Sequence, residues 1–451
     1  MMAWLNIAAK TASTVLVLPL MVRNLDAASV AVYYLLTTGA SFILLTCSGF
    51  APTISRFVGF GLASQKDNTG AGSLPNIDIG DLLATMRRVY ATLSVVALHS
   101  MVVVGSFCFS KPISVLQNPN EGWHAWFVIC AATPFTLFGS LYSAVIQGSD
   151  NVALEQKWAA VFSILAAFST AGVLIAGGGL LALITATQIW QVIGCFRLRF
   201  ILERIKLPSS RYHSRPLTDV FQEVLKPSWR ALVGIVAYNG TSVGISIVLG
   251  QIMPPPALAS FMLMQRVMSI GTEISKAPFY GTLPRLVILL RESKEKEFVA
   301  LARRGMRNSY LSFSLFLAPL VVLGKDALAL LGSQVEFQEP FVLSLYAFAL
   351  LLERHGAMHL QLFTASGKVI WHWVNGALGL VWGLLLAVKY PHIDVTYYAI
   401  SLTTALALTY VPVSVYFSLK TLNQSYFNFE KVLFLPFLGI FLLGLLMLHN
   451  L

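Results

Sequence analysis

The sequence predicts an all-α protein that crosses a membrane many times. Of its 451 residues, 56% are hydrophobic and only 11% are charged, and the mean hydropathy is +0.72. A soluble domain carries about 25% charged residues. Apolar segments long enough to cross a bilayer recur from one end of the chain to the other. These observations exclude an ordinary soluble domain.

Thirteen apolar segments have spanning length. They are predicted at 2–22, 30–60, 86–109, 124–147, 156–176, 179–197, 229–250, 257–284, 306–324, 341–364, 369–388, 395–419 and 432–449. The second and the eighth are longer than a bilayer requires and contain proline, so we expect both to tilt or kink.

The longest charged interruption, 197–230, divides the chain near its middle. Six segments precede it, and six follow before the thirteenth. We therefore predict two six-helix lobes related by a pseudo-two-fold axis along the membrane normal. The predicted parts are an N-lobe at 1–200, a cytoplasmic linker at 201–228, a C-lobe at 229–420 and an additional hydrophobic helix at 431–451.

The distribution of lysine and arginine predicts the orientation. With the N-terminus in the cytoplasm, 22 of the 31 basic residues lie on the cytoplasmic side, 4 on the opposite side and 5 inside spans. This asymmetry is a strong positive-inside signal and predicts a multi-pass protein of the cell inner membrane. The net charge of +11 arises mainly from these loops, so no nucleic-acid partner is expected. The N-terminus has no signal-peptide pattern and is predicted to be a retained first helix.

The segment 257–285 is apolar enough to enter a bilayer, yet it contains Arg266, Glu273 and Lys276. At about 100° per residue, offsets of seven and three place the three side chains on one helical face. An ionisable group at the membrane centre costs about 2.5–3.5 kcal/mol, so this face is predicted to line a polar cavity. The alternative is that Glu273 and Lys276 only neutralise each other, which leaves Arg266 unexplained.

The ionisable residues inside the predicted spans carry a surplus of positive charge. The cations are Lys10, Arg56, Arg266, Lys276 and Arg354, and the anions are Glu273 and Glu353. A cationic cavity suits a pyrophosphate, because guanidinium groups bind phosphate oxygens in pairs and lysine acts as a point charge. Two alternatives stay open: Arg56 can extend to lipid headgroups at the end of its helix, and Lys10 can be a partner of Glu273 or Glu353.

Several motifs are absent from the sequence. It contains no phosphate-binding G-x-x-x-x-G-K-[ST] loop, so no nucleotide cofactor is expected. The carboxylates Asp78 and Asp81 do not form a D-x-D pair, and they are expected to be solvated in a turn. The predicted outer loops are short and hold no catalytic constellation, which argues against an enzyme.

No metal site is predicted either. The residues His355 and His359 have helical i, i+4 spacing, but the intervening Gly-Ala-Met supplies no glutamate, so the zinc-protease pattern H-E-x-x-H is missing. A polar lining or an interfacial location is expected for both. The four cysteines form no metal-ligand or disulfide pattern.

Two stretches near the N-terminus, P-L-M-V-R-N-L-D-A-A-S-V-A-V-Y-Y-L-L and L-L-T-C-S-G-F-A-P-T-I-S-R-F, carry a family resemblance. They resemble the first two helices of polysaccharide flippases of the MOP (MATE-like) superfamily, the Wzx-type O-antigen flippases. The stretch F-M-L-M-Q-R-V-M-S-I-G resembles the start of the second lobe. The chain departs from the pattern where Asp26-Ala27-Ala28 and Val32 stand in place of glycines, so a different first outer turn is expected.

The resemblance implies two lobes around a central cationic cavity and transport by alternating access. The implied substrate is a polyprenyl-diphosphate-linked oligosaccharide, carried from the cytoplasmic to the outer leaflet for cell-surface polysaccharide assembly. The resemblance also implies membrane lipids and other polysaccharide assembly proteins as partners of this protein. Arg23, Arg56 and Arg266 match positions where such flippases hold basic residues.

Three other functions are alternatives to a flippase. A MATE-like multidrug or cation antiporter shares the outline, but its cavity should carry carboxylates. A membrane polysaccharide polymerase or ligase needs a catalytic constellation, and a lipid scaffold without transport does not explain the intramembrane charges.

The intramembrane carboxylates Glu273 and Glu353 are the candidates for coupling to a proton gradient. The hypothesis is that one of them, Glu273 in the first place, pairs with Lys276 or Arg266 when the cavity is empty. It would release that cation to the pyrophosphate of the substrate and take up a proton, because the loss of a cationic partner and poor hydration favour the neutral form of a carboxylate.

The predicted topology can be tested by cysteine-accessibility labelling in sealed cells. Single cysteines at Ser209 and Ser293 should react only after a reagent enters the cytoplasm, and those at Asn118 and Ser333 should react from outside. Labelling of Asn118 and Ser209 from the same side would contradict the topology.

Overall fold

The structure is a computed structural model that describes residues 2–66, 78–205, 207, 216–366, 369–431 and 433–449. The chain forms two compact units, Met1–Gln251 and Ile252–Leu451. The described residues are almost entirely helical, and no strand occurs among them. The prediction of an all-α protein is therefore confirmed.

The first unit contains ten α-helices in the described residues. They are α1 Met2–Asn24, α2 Ala27–Ser48, α3 Phe50–Lys66, α4 Ile79–Ser100, α5 Ser106–Ser114, α6 Pro119–Gly148, α7 Val152–Ile175, α8 Leu180–Ile205, α9 Leu217–Ile235 and α10 Thr241–Ile252. Two π-helical turns, Met101–Gly105 and Val236–Gly240, join α4 to α5 and α9 to α10 without a break.

The second unit continues in the same way. Its helices are α11 Pro255–Tyr280, α12 Leu283–Arg291, α13 Glu295–Leu330, α14 Pro340–Ala365, α15 Trp371–Val388, α16 Val395–Ala405, α17 Val411–Thr421, α18 Tyr426–Glu430 and α19 Leu435–His449. The π-helical turn Leu406–Tyr410 joins α16 to α17.

Each of the thirteen predicted apolar segments coincides with helix in the structure. Among the described residues, nine continuous helical stretches are long and apolar enough to cross a membrane. The two longest segments, the second and the eighth, are each interrupted in the structure, while their tilt stays a prediction. The second is divided at Gly49 between α2 and α3, and the eighth is divided between α11 and α12.

Aspartates determine where several helices begin. The Asp26 carboxylate accepts hydrogen bonds from the backbone N–H groups of Ala28 and Ser29 and thereby caps α2, which explains the aspartate at the predicted first outer turn. Asp78 caps α4 in the same way. The expectation that both Asp78 and Asp81 are solvated is wrong for Asp81, which is fully buried in the first turn of α4.

Helix α6 lies at the centre of the first unit and contacts α2, α3, α4, α5, α7 and α8. Its approach to α3 depends on Gly148, because a Cβ atom there would overlap the Ser55 carbonyl oxygen and lie 2.8 Å from Val58 Cβ. Only a residue without a side chain permits this contact.

Helix α9 packs on the core of the first unit, although its first turns fall in the predicted linker. Val220 and Val224 are fully buried among Phe57, Met86 and Ile201 and other residues of this core. Residues 208–215 of the linker lie outside the described residues. The predicted lobe and linker boundaries stay a prediction.

Helix α14 has the corresponding central position in the second unit. Seventeen of its 26 residues are buried, and they point in all directions around the helix. It contacts α11, α12, α13, α16, α17 and α19. In each unit, therefore, one helix is the one around which the others pack: α6, at the predicted span 124–147, and α14, at the predicted span 341–364.

The contact at Gly148 leads to a stability prediction. We expect Gly148→Ala to destabilise the protein by about 1–3 kcal/mol, because the added methyl group overlaps backbone atoms of α3. Gly172→Ala in α7 is the matched control, since no atom lies within 4 Å of its Cβ position. Thermal unfolding of the detergent-purified variants is the measurement. A melting temperature for Gly148→Ala equal to that of Gly172→Ala would contradict the packing.

Candidate functional site

Helix α11 is buried all around from Leu258 to Met264, and beyond Met264 it has one buried face and one exposed face. Met264, Met268, Gly271 and Ser275 are buried and form the face that packs on α13. A Cβ atom at Gly271 would overlap the Phe316 ring of α13, so the two helices approach closely there. The opposite face of α11 is consequently left for polar side chains.

The exposed face carries the three ionisable residues that the sequence placed together. Arg266 and Glu273 are exposed, and Lys276 is half-buried. The Lys276 ammonium group forms an ion pair with the Glu273 carboxylate, and the two side chains are 37% and 57% exposed. The predicted pairing of Glu273 with Lys276 is thus present. The roles of these residues in binding and coupling stay predictions.

Glu353 and Arg354 lie inside the second unit on α14. Arg354 Nη2 is 3.2 Å from Glu353 Oε2, and the arginine and glutamate side chains are only 4% and 13% exposed. This pair is much more enclosed than the pair on α11. In this conformation, Arg354 is therefore packed in the unit interior and does not lie on an exposed face.

The predicted cations of the first unit lie on different helices. Arg23 is exposed in the last turn of α1, where a cation complements the negative end of the helix dipole. Arg56 is exposed on α3. Lys10 lies in α1, and its side chain is outside the described part of the structure. The convergence of these cations with Arg266 on one cavity stays a prediction.

A cavity of about 810 Å³ opens within the first unit between α2, α3, α6 and α8. Its hydroxyl, amide and guanidinium groups come from Ser48, Ser55, Thr136, Ser140, Ser143, Gln147, Gln191 and Arg197. This cavity was not predicted from the sequence. The spacing of Ser140, Ser143 and Gln147 along one face of α6 was the available signal.

Two charged groups are held at this cavity by neighbours. Ser143 donates a hydrogen bond to the buried Glu155 carboxylate. Arg197 donates from Nη1 to the Trp158 carbonyl oxygen at 3.2 Å, and its guanidinium carbon lies 4.8 Å from the Phe162 ring centroid. Cation–π and hydrogen-bonding contacts therefore fix the arginine beside the polar lining.

A second polar cluster, buried in the second unit, joins α13, α14 and α18. The Tyr310 hydroxyl lies 2.7 Å from His355 Nδ1, and His359 Nε2 lies 3.0 Å from Glu430 Oε1. The sequence paired the two histidines by their spacing and expected a polar lining. The structure instead buries both and adds Glu430, which is 71 positions away from His359.

Comparison with solved structures identifies the fold. An inward-facing multidrug resistance MATE family transporter of the MOP superfamily has a TM-score of 0.71 at 12% identity, and the match covers 95% of this chain and 99% of that one. The chain has the fold of MOP-superfamily transporters.

Two further MOP-fold structures agree. The lipid II flippase MurJ, in an inward closed conformation, has a TM-score of 0.65 at 11% identity over 100% of this chain and 90% of that chain. An outward-facing MATE family transporter has a TM-score of 0.62 at 11% identity over 95% of each chain. No protein-family model and no curated protein matches the sequence. The MOP fold and the apolar helices support a multi-pass membrane protein.

Proposed function

We propose that the protein is a flippase that moves a polyprenyl-diphosphate-linked oligosaccharide from the cytoplasmic to the outer leaflet by alternating access. The observation that carries this proposal is the exposed face of α11, on which Arg266, Glu273 and Lys276 lie within one predicted span. Lipid is a poor environment for such a face, so it lines a hydrated path through the protein.

The chemistry of the face suits a diphosphate. A guanidinium group donates two parallel hydrogen bonds to phosphate oxygens, and an ammonium group adds a positive charge without a fixed direction. Both interactions strengthen where water is scarce. In this proposal Arg266 binds the diphosphate directly, and Lys276 joins it when the ion pair with Glu273 opens.

The fold alone does not choose between a flippase and a multidrug exporter, because both kinds of protein are found among the similar structures. The ion pairs of the two carboxylates inside the predicted spans support the flippase. Glu273 and Glu353, the two anions counted inside the predicted spans, are each paired with a cation of the same helix. A carboxylate already neutralised in this way is a poor binding site for a cationic drug.

The lipid-linked nature of the proposed substrate is supported by the structural similarity to the lipid II flippase MurJ. For the sugar portion, the cavity of the first unit offers serine hydroxyl groups and the amides of Gln147 and Gln191. These groups both donate and accept hydrogen bonds, as sugar hydroxyls require. The proposed location is the cell inner membrane with a cytoplasmic N-terminus, an orientation that the positive-inside distribution supports.

The role of Arg266 is tested in liposomes that contain the purified protein and a fluorescent prenyl-diphosphate glycan. We expect Arg266→Ala to slow leaflet exchange by about 10-fold to 100-fold, because a charge-assisted hydrogen bond contributes about 1.5–3 kcal/mol. Arg266→Lys should keep part of the activity, since the charge remains but the paired donors are lost.

Arg304→Ala is the matched control, because Arg304 is an exposed arginine of the same unit outside the predicted span 306–324. The Arg304→Ala variant should move glycan between the leaflets at the wild-type rate. Full activity of Arg266→Ala at a normal protein level would overturn the binding role. Export of a cationic dye by the same liposomes, without glycan exchange, would favour the multidrug antiporter instead.

The coupling role of Glu273 is tested with a pH gradient across the same liposomes. We expect Glu273→Gln to insert and fold normally but to lose the dependence of exchange on the gradient, because the amide cannot take up a proton. Glu292→Gln breaks a similar exposed pair, in which Glu292 Oε2 lies 3.0 Å from Lys294 Nζ in a loop, and should retain the dependence. If Glu273→Gln keeps gradient-dependent exchange, the proposal fails for Glu273 and Glu353 becomes the next candidate.

A further inference from the structure

The buried cluster of His355, His359 and Glu430 has the composition of a metal site. The two histidines lie on successive turns of α14, and their ring centroids are 4.7 Å apart. The short helix α18 places the Glu430 carboxylate beside His359. One ligand atom from each of the three residues lies within 4.8 Å of the others, and each residue is at most 1% exposed.

Within the described part of the chain, two buried polar atoms of the cluster lack a hydrogen-bond partner. His359 Nδ1 and Glu430 Oε2 are buried and have no hydrogen-bond partner there. An unsatisfied buried group is costly, and a buried carboxylate is more costly still unless a cation accompanies it. A neutral histidine does not supply that charge, whereas a divalent cation does.

Neighbouring side chains hold the two histidine rings in place. The Tyr310 hydroxyl lies 2.7 Å from His355 Nδ1. When Nδ1 carries the proton and donates to Tyr310, His355 Nε2 keeps the lone pair that a metal requires. Phe434 stacks on the His355 ring with centroids 3.9 Å apart, and Phe429 packs against the His359 ring. Both imidazole rings are therefore fixed before an ion arrives.

We propose that His355, His359 and Glu430 bind one divalent transition-metal ion, of which zinc is the representative, with Tyr310 as a positioning residue. Imidazole and carboxylate are the ligand types that suit zinc and its neighbours in the first transition row. Three protein ligands leave one coordination position for water.

This site would tie α18 to α14. Helix α18 lies between α17 and α19. Arg303 contacts it by donating to the Asn428 carbonyl oxygen at 2.7 Å and by lying over the Phe429 ring. A bound ion adds a link between residues far apart in the sequence and so stabilises the folded state of this unit.

The test uses the full-length protein in detergent, free of any polyhistidine tag because such a tag binds zinc itself. The protein is stripped with a chelator, loaded with zinc and desalted, and its metal content and melting temperature are measured. We expect one zinc ion per chain and a melting temperature that rises with zinc and falls again with chelator. No retained zinc in the wild-type protein would overturn the proposal and leave a hydrogen-bonded His–Glu pair.

The variants locate the site. Glu430→Gln preserves size and a hydrogen bond to His359, and it should bind zinc at least 10-fold more weakly. Tyr310→Phe removes the partner of His355 Nδ1 and should weaken binding by about 10-fold to 100-fold. His99→Gln, at an exposed histidine of α4, is the control and should bind zinc with the wild-type affinity. Equal zinc affinity in Glu430→Gln and the wild type would place the ion elsewhere and overturn the proposal.

A cobalt(II) titration of the wild-type protein gives a readout that does not depend on the folding of any variant. We expect visible absorption bands typical of nitrogen and oxygen ligands at one equivalent, and these bands should disappear when zinc is added. A spectrum equal to that of cobalt in buffer would overturn the proposal.

Discussion

The hydrocarbon interior of a bilayer cannot solvate an ionised side chain, and the placement of charge in this protein follows from that constraint. On α11, Met264, Met268 and Gly271 pack against α13, so Arg266 and Glu273 are left on the opposite face. Helix α14 has no exposed face comparable to that of α11, so its charged side chains lie in the interior of the unit. There Glu353 and Arg354 neutralise each other, and Glu430 reaches the histidines from another helix.

Packing around two enclosed helices makes these arrangements possible. Helices α6 and α14 are each surrounded by helices of their own unit. Close approach requires glycines at the contacts, such as Gly148 beside Ser55 and Gly356, whose Cβ would lie 2.5 Å from the Tyr410 ring. The helices around α14 can therefore present polar groups such as Arg266, and α6 itself supplies Thr136, Ser140, Ser143 and Gln147 to the cavity between α2, α3, α6 and α8.

One fold is shared by proteins with different functions, since a multidrug resistance MATE family transporter and the lipid II flippase MurJ are both similar to this chain. The difference must therefore lie in the side chains. Under the proposed function, the surplus of arginine and lysine inside the predicted spans suits an anionic cargo. The metal site proposed at His355, His359 and Glu430 is a separate feature that fixes the C-terminal end of the second unit.

The sequence by itself determined the all-α membrane class, the thirteen helical segments and the shared face of Arg266, Glu273 and Lys276. These properties are local, because apolar length and a repeat of 3.6 residues are contained in one stretch of chain. Only the tertiary structure decided that Asp81 is buried, that a polar cavity opens in the first unit and that Glu430 meets His359 across 71 positions. Such contacts depend on which helix faces pack together, and neither hydropathy nor periodicity records which helices become neighbours.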